Sequence, residues 1–206
     1  MNTSSSPPVV CAILAGGKSR RMGTDKASLP INGETLLART VRLAAAVLAA
    51  PPLVIGRTAG DATDTAARFV PDDAPDGGPV AGLCTAFRHA RADHALLLLS
   101  CDLPTLTDAA LRWLLDQPRG ALGVIARRDG RDEPLFSIYT PDVLPLLEAN
   151  LARGERSFRA LIAAGGAGFR FADAPPEVAA ALADVDTPED WTRFSASEPQ
   201  APPHTP

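Results

Sequence analysis

The stretch from His94 to Pro104, HALLLLSCDLP, carries the clearest statement about the fold. From His94 to Leu99 it is apolar without alternation, as in a central strand covered on both faces, and strands of that kind belong to parallel sheets flanked by helices. Cys101-Asp102-Leu103-Pro104 ends the run, because proline does not continue a central strand. An aspartate, Asp102, is thereby left at the strand's exit.

Working outward, apolar runs of strand length alternate with longer helical patterns. Val9–Leu14, Leu53–Gly56 and Arg68–Pro71 read as strands; Glu34–Ala50, Pro79–Arg91 and Thr107–Asp116 read as helices. Beyond residue 117 come strand candidates Leu122–Ala126, Leu135–Tyr139 and a short one around Phe169–Phe171. Helices are expected at Asp142–Ala152, Ser157–Ala164 and Pro188–Phe194, the last begun by Thr187 as N-cap with proline at its first position. Alternation of this kind predicts an α/β fold with a mostly parallel sheet and helices on both faces. A chain of 206 residues, 46% apolar, suits one domain, expected over 9–194. Residues 1–8 and 195–206 lack the apolar periodicity that offsets ordering entropy and read as a flexible N-terminus and a disordered tail.

Bulk charge narrows the function. The formal net charge is −4, without the basic surplus needed to grip a polyanion, so no nucleic-acid partner is expected. Cys11, Cys84 and Cys101 are odd in number and form no C-x-x-C pair, which suggests neither a disulfide framework nor a structural zinc site and fits a cytoplasmic location. The run Val9–Ala15 is too short to span a bilayer and no cationic segment precedes it, so it reads as a buried strand and no membrane association is expected.

Against that acidic background, LAGGKSRRMGTDK (14–26) gathers Lys18, Arg20, Arg21 and Lys26 against one acid, Asp25, for a local charge of +3. Ligands of open α/β sheets bind beyond the carboxyl ends of the strands, where this segment begins. Gly16 and Gly17 permit close approach of a ligand to backbone N–H groups that cradle phosphate oxygens. The spacing is neither that of a Walker A loop nor G-x-G-x-x-G. Lys18, Arg21 and Lys26 are the candidates for neutralising phosphate charge. Asp102, on the same rim if the strands are parallel, is the candidate magnesium ligand, since Mg²⁺ needs only one or two carboxylates besides phosphate and water. Asp186, just before the final helix, is a second metal candidate beside Asp184. Asp72, Asp73 and Asp76 lie in a turn-rich loop whose composition is ordinary loop chemistry. His89, His94 and His204 form no catalytic arrangement.

The segments LAGGKSRRMGTDK, FVPDDAPDGGPVAG (69–82), SCDLP (100–104), RDEPLFSIY (131–139), GERSFRALI (154–162) and DVDTPEDW (184–191) together resemble the molybdenum cofactor guanylyltransferases. These are MobA-like members of the GT-A-type nucleotidyltransferase superfamily. The likeness runs from about Val9 to Phe194. It implies a three-layer, Rossmann-like GT-A-type fold, with a nucleotide-binding half at about 9–117 and an acceptor-binding half at about 118–194. It implies transfer of GMP from GTP to the terminal phosphate of molybdopterin, with Mg²⁺ as cofactor and release of pyrophosphate. A molybdoenzyme or cofactor-delivery protein would receive the product.

Carried over by position, Leu14, Ala15, Gly16, Gly17 and Lys18 lie against the nucleotide, Lys26 meets its phosphates, Asp72 lies near the nucleoside, and Asp102 holds the metal. Lys26, Arg21 and Asp102 are the expected catalytic groups. Where the family often has asparagine after the second strand, this chain has Gly56-Arg57; where its last motif often has asparagines, this chain has Asp184 and Asp186. Arg128, Arg131, Glu133, Pro134, Arg153, Glu155 and Arg156 would house the acceptor. Cytidylyl transfer, a sugar or alcohol phosphate acceptor, and a non-catalytic nucleotide-binding accessory protein are the alternatives.

Overall fold

A computed structural model describes residues 7–16, 25–58, 66–74 and 77–197. Strand β1 (Val9–Leu14) leads, after a stretch outside the described residues, to a 3-10 turn at Lys26–Ser28 and a small hairpin of β2 (Pro30–Ile31) and β3 (Glu34–Thr35). Helix α1 (Leu36–Leu48), β4 (Leu53–Ile55), β5 (Arg68–Val70), α2 (Gly78–His89), β6 (Ala95–Ser100) and α3 (Asp108–Leu115) follow. The remainder comprises β7 (Gly123–Arg128), β8 (Arg131–Tyr139), α4 (Leu144–Ala152), α5 (Phe158–Gly165), β9 (Phe169–Asp173), α6 (Pro176–Ala181) and α7 (Pro188–Ser197).

Seven strands form one sheet in the order β5-β4-β1-β6-β8-β7-β9. β8 runs antiparallel to both neighbours, and every other pairing is parallel. β8 is reversed because the two-residue Asp129-Gly130 turn, with φ of 52° and 76°, makes a hairpin, and tight hairpins join only antiparallel strands. All six residues of β6 are buried, as its unbroken apolar run predicts. Its side chains alternate between two cores. Ala95, Leu97 and Leu99 pack with α1, α3 and α6 on one face. Leu96 and Leu98 pack with α2, α4 and α5 on the other. The three-layer α/β arrangement is therefore the observed architecture.

Several boundaries differ from the sequence reading. The helix expected from Glu34 starts at Leu36, because Asn32-Gly33 (φ 48° and 83°) turns the chain into the β2–β3 hairpin and the Thr35 hydroxyl then accepts the Ala38 N–H at 3.1 Å as N-cap. Helix α6 was not anticipated, and α7 continues to Ser197 rather than ending at Phe194. Trp191 and Phe194 of α7 pack against Leu29, Ile31, Leu36 and Val185, so that the hairpin and the final helix form a small third apolar cluster beside the sheet.

Candidate functional site

The rim at the carboxyl ends of β1 and β6 brings distant residues together. The two strands pair in parallel with Leu14 opposite Ser100, so Ala15-Gly16 and Cys101-Asp102 leave the sheet side by side. Ala15 and Gly16 both donate their N–H groups to the Ile55 carbonyl, at 3.0 and 3.1 Å. This draws the β1 exit against Gly56, whose own φ is +87°. A Cβ at Gly56 would stand 2.6 Å from the Gly16 Cα, a clash that makes both glycines a steric requirement of the crossing.

Lys26 is the centre of the polar arrangement. Its Nζ donates to Asp186 Oδ1 at 2.5 Å and to Asp102 Oδ2 at 3.3 Å. Asp102 Oδ1 in turn accepts the Ser100 hydroxyl at 2.5 Å. The Val185 N–H donates to the Asp102 carbonyl at 3.1 Å, which fastens the 184–186 segment to the strand exit and explains how residues 84 positions apart share a cation. Burial opposes the Lys26 charge, but the hydrogen bond to Asp186 and the fields of Asp102 and Asp186 outweigh it and hold its pKa above the ordinary 10.5. Lys26 is thus a fixed cation.

Beneath it, Asp25 organises the approach. Its carboxylate accepts the Ala27 N–H at 3.2 Å and the Ser28 hydroxyl at 3.0 Å, capping the turn that presents Lys26. It also accepts a hydrogen bond from the Arg57 guanidinium, whose Nε donates to the Ala15 carbonyl at 3.0 Å. Burial tends to raise the Asp25 pKa; Arg57 and the Ser28 and Ala27 contacts more than reverse this, leaving it below 3.8. Arg57, noted in the sequence only as a departure from asparagine, therefore ties Ala15 to Asp25 across the two ends of the glycine-rich segment.

Other anticipated residues stand apart from the Lys26 cluster. Leu14 packs into the α2 side of the core, close to Gly82, where a Cβ would come within 3.0 Å of it. Asp72 accepts the Thr85 hydroxyl at 3.2 Å and the Ala74 N–H at 3.0 Å, so its described contacts brace the loop after β5 rather than the Lys26 cluster. Asp184 meets Arg128, at 3.4 Å, and Arg128 pairs with Glu133 at 2.8 Å. Burial raises the Glu133 pKa, with Arg128 pulling against it. Gly17, Lys18, Arg20, Arg21 and Asp76 lie outside the described residues, as does His204. His94 pairs with its neighbour Asp93 at 2.9 Å, away from the cluster. Cys101, next to Asp102, is buried and its thiol is pushed up to about 12 by that burial, which removes it as a nucleophile.

Sequence reading missed the clamp made by Ser137 and Tyr139. Between β7 and β8 the register jumps, from Ile125 opposite Ser137 to Ala126 opposite Glu133. The Ser137 hydroxyl donates to the Glu133 carbonyl at 2.7 Å and the buried Tyr139 hydroxyl to the Pro134 carbonyl at 2.9 Å. This bulge takes Glu133 and Pro134 out of the regular ladder; alternation in RDEPLFSIY gives no sign of it.

Among the described residues no group of three or more His, Cys, Asp or Glu side chains gathers to hold a metal. Asp102 and Asp186 are the two carboxylates that converge on Lys26. No helix among the described residues is long and apolar enough to cross a membrane.

Comparison with known proteins shows the family. The chain is 37% identical over 155 residues to a probable molybdenum cofactor guanylyltransferase of Opitutus terrae, covering 74% of this chain and 77% of that one. It is 35% identical over 195 residues to a protein of the same description from Synechococcus elongatus, covering 90% and 97%. The fold matches a crystal structure titled molybdopterin-guanine dinucleotide biosynthesis protein A from Archaeoglobus fulgidus, with a TM-score of 0.70, 20% identity, and coverage of 89% of this chain and 95% of that one. The family model described as the MobA-like NTP transferase domain matches residues 11–174, and the chain belongs to that family.

Proposed function

We propose that this protein transfers GMP from GTP to the terminal phosphate of molybdopterin, forming a guanine dinucleotide cofactor and releasing pyrophosphate. The observation that carries the reading is the convergence of Lys26, Asp102 and Asp186 beside the Ala15–Gly16 exit of β1. The names of the relatives supply the guanylyl and molybdopterin parts. In this reading residues 9–117 hold the nucleotide and 118–194 the acceptor, in a cytoplasmic setting.

A phosphate monoester has its second pKa near ~6 and is mostly dianionic at neutral pH, so the nucleophile needs no general base. Its oxygen forms the new bond to the α-phosphorus as the bond to the leaving pyrophosphate breaks. Two anions must meet, and the demand on the protein is positioning and fixed positive charge. Lys26 supplies that charge already held in place by two carboxylates, while Arg57 and Asp25 fix the backbone from which it projects. Arg21 and Lys18 add charge from the adjoining segment, Gly16 and Gly17 let phosphate approach the backbone, and Leu14, Ala15 and Asp72 border the nucleoside. Asp102 and Asp186 present the hard oxygen donors that suit Mg²⁺, and one or two carboxylates are the usual protein share of such a site. When bound, the ion would neutralise phosphate charge and withdraw electrons from the leaving group.

The test is pyrophosphate release from GTP, Mg²⁺ and molybdopterin. Release from CTP in place of GTP would make the protein a cytidylyltransferase; release only with a sugar phosphate would move the acceptor. Tight GTP binding without turnover toward any phosphate acceptor would leave an accessory protein that passes cofactor to a molybdoenzyme.

A further inference from the structure

Arg128 ends β7, beside the Asp129-Gly130 turn, and its guanidinium fork is taken up by the protein itself. Nε pairs with Glu133 Oε1 at 2.8 Å, one terminal nitrogen donates to the Leu182 carbonyl, and the other reaches Asp184 Oδ1 at 3.4 Å. Arg128 stands opposite Arg131 in the β7–β8 register, so Glu133, two residues further along β8, is its diagonal neighbour on the same face. The Arg128 and Glu133 side chains are 25% and 24% exposed, a shelter in which a planar, charge-assisted contact keeps its direction.

What the fork holds is the stretch from Leu182 to Asp186, which runs without helix or strand between α6 and α7. Leu182 packs in the core on the α1, α3 and α6 side, and Val185 in the cluster formed by the hairpin and α7. The Val185 N–H donates to the Asp102 carbonyl at 3.1 Å, and Asp186 then accepts from Lys26 Nζ at 2.5 Å. An irregular segment keeps its course through whatever satisfies its polar groups one by one. Arg128 supplies two of those anchors, at the Leu182 carbonyl and the Asp184 carboxylate, and ties both to the strand pair β7–β8.

Resting on the function proposed above, we infer that Arg128 is a positioning residue of the transfer step: held in plane by Glu133, it fixes the 182–186 segment and through it the Asp186 carboxylate that shares Lys26 with Asp102. Arg128 and Glu133 thereby serve the reacting rim rather than contact the acceptor. Misplacing a reacting group by about 1 Å costs on the order of a hundred-fold in rate, so the effect falls on kcat, whereas a lost contact to bound acceptor falls on KM.

The experiment uses the full chain with Arg128→Ala, Glu133→Gln (which keeps the side chain's shape and removes its charge), Asp186→Asn, and the double variant Arg128→Ala/Asp186→Asn. Pyrophosphate release from GTP with Mg²⁺ is followed against molybdopterin concentration, and each protein is unfolded in urea. kcat should fall about a hundred-fold in Arg128→Ala and less steeply in Glu133→Gln, with KM for GTP and molybdopterin within about two-fold of wild type. The double variant should be no slower than the slower single one, because both substitutions break one device. In urea, Asp186→Asn should shift the midpoint less than about half as far in the Arg128→Ala background as in wild type. If Arg128→Ala does not fold, Glu133→Gln combined with Asp186→Asn carries the same cycle. A raised KM for molybdopterin with kcat kept would make Arg128 an acceptor contact. A lowered urea midpoint with kcat within about two-fold of wild type would make it a contact of the fold alone, and additive effects with Asp186→Asn would sever the link to that carboxylate. Each of these overturns the inference. Failure of the underlying reading shows instead in the wild type, as no pyrophosphate release from GTP with molybdopterin; the urea cycle needs no turnover and still decides whether Arg128 acts through Asp186.

Discussion

At the scale of single residues, the site is a set of charges each held by another. Asp102→Asn keeps the shape and the Ser100 contact but removes a carboxylate charge. Steady-state turnover should fall at least about a hundred-fold, with the circular dichroism spectrum unchanged. Lys26→Ala leaves Asp102 and Asp186 facing each other without their shared cation; its kcat should fall while GTP still binds, and unaltered kinetics would remove it from the site. The Asp25–Arg57 pair makes a pH-dependent prediction. Because the folded pKa of Asp25 is depressed, its stabilisation is present above the unfolded value and is lost as pH falls through the folded one. The Tm difference between wild type and Asp25→Asn should be greatest above pH 3.8 and shrink toward zero on further acidification; a difference that stays constant with pH would contradict the pairing.

At the scale of elements, positioning depends on segments that do no chemistry. The bulge of β8 is held by hydroxyls whose acceptors, the Glu133 and Pro134 carbonyls, lose a partner when the hydroxyl goes. Tyr139→Phe removes one such hydroxyl from a fully buried ring, and urea unfolding should show a loss of about 1–3 kcal/mol. Helix α7 has a similar supporting role: its Thr187–Asp190 cap, with the Thr187 hydroxyl accepting the Asp190 N–H at 3.1 Å and Asp190 accepting the Thr187 N–H at 3.0 Å, starts the helix immediately after Asp186. The Thr-Pro start of α7 and the unbroken strand β6 were legible because capping chemistry and apolar runs are local. Helix α6 was missed because PPEVAAALA shows neither a side-chain cap nor a long periodic pattern, and its packing against α3 selects the helix. Asn32-Gly33 was a readable hairpin signal hidden by reading the apolar pattern after Glu34 as one continuous helix.

For the molecule as a whole, stability is centred on β6, which contributes side chains to both cores. Leu98→Ala empties space in the α2, α4 and α5 core, and denaturant unfolding should report a loss of about 2–5 kcal/mol, whereas exposed changes such as Arg159→Ala should leave the midpoint within error.

The sequence by itself determined the layered α/β plan, the glycine-rich strand exit and the candidacy of Lys26, Asp102 and Asp186, since propensity, turn chemistry and charge density are written in neighbouring residues. Only the tertiary structure decided that Asp186 shares a lysine with Asp102, that Arg57 closes on Asp25, and that Arg128 joins Glu133 to Asp184. Those pairings depend on strand order, a register jump and a single backbone hydrogen bond from Val185, which are set by the balance of packing across the whole core and have no signature in any short stretch of chain.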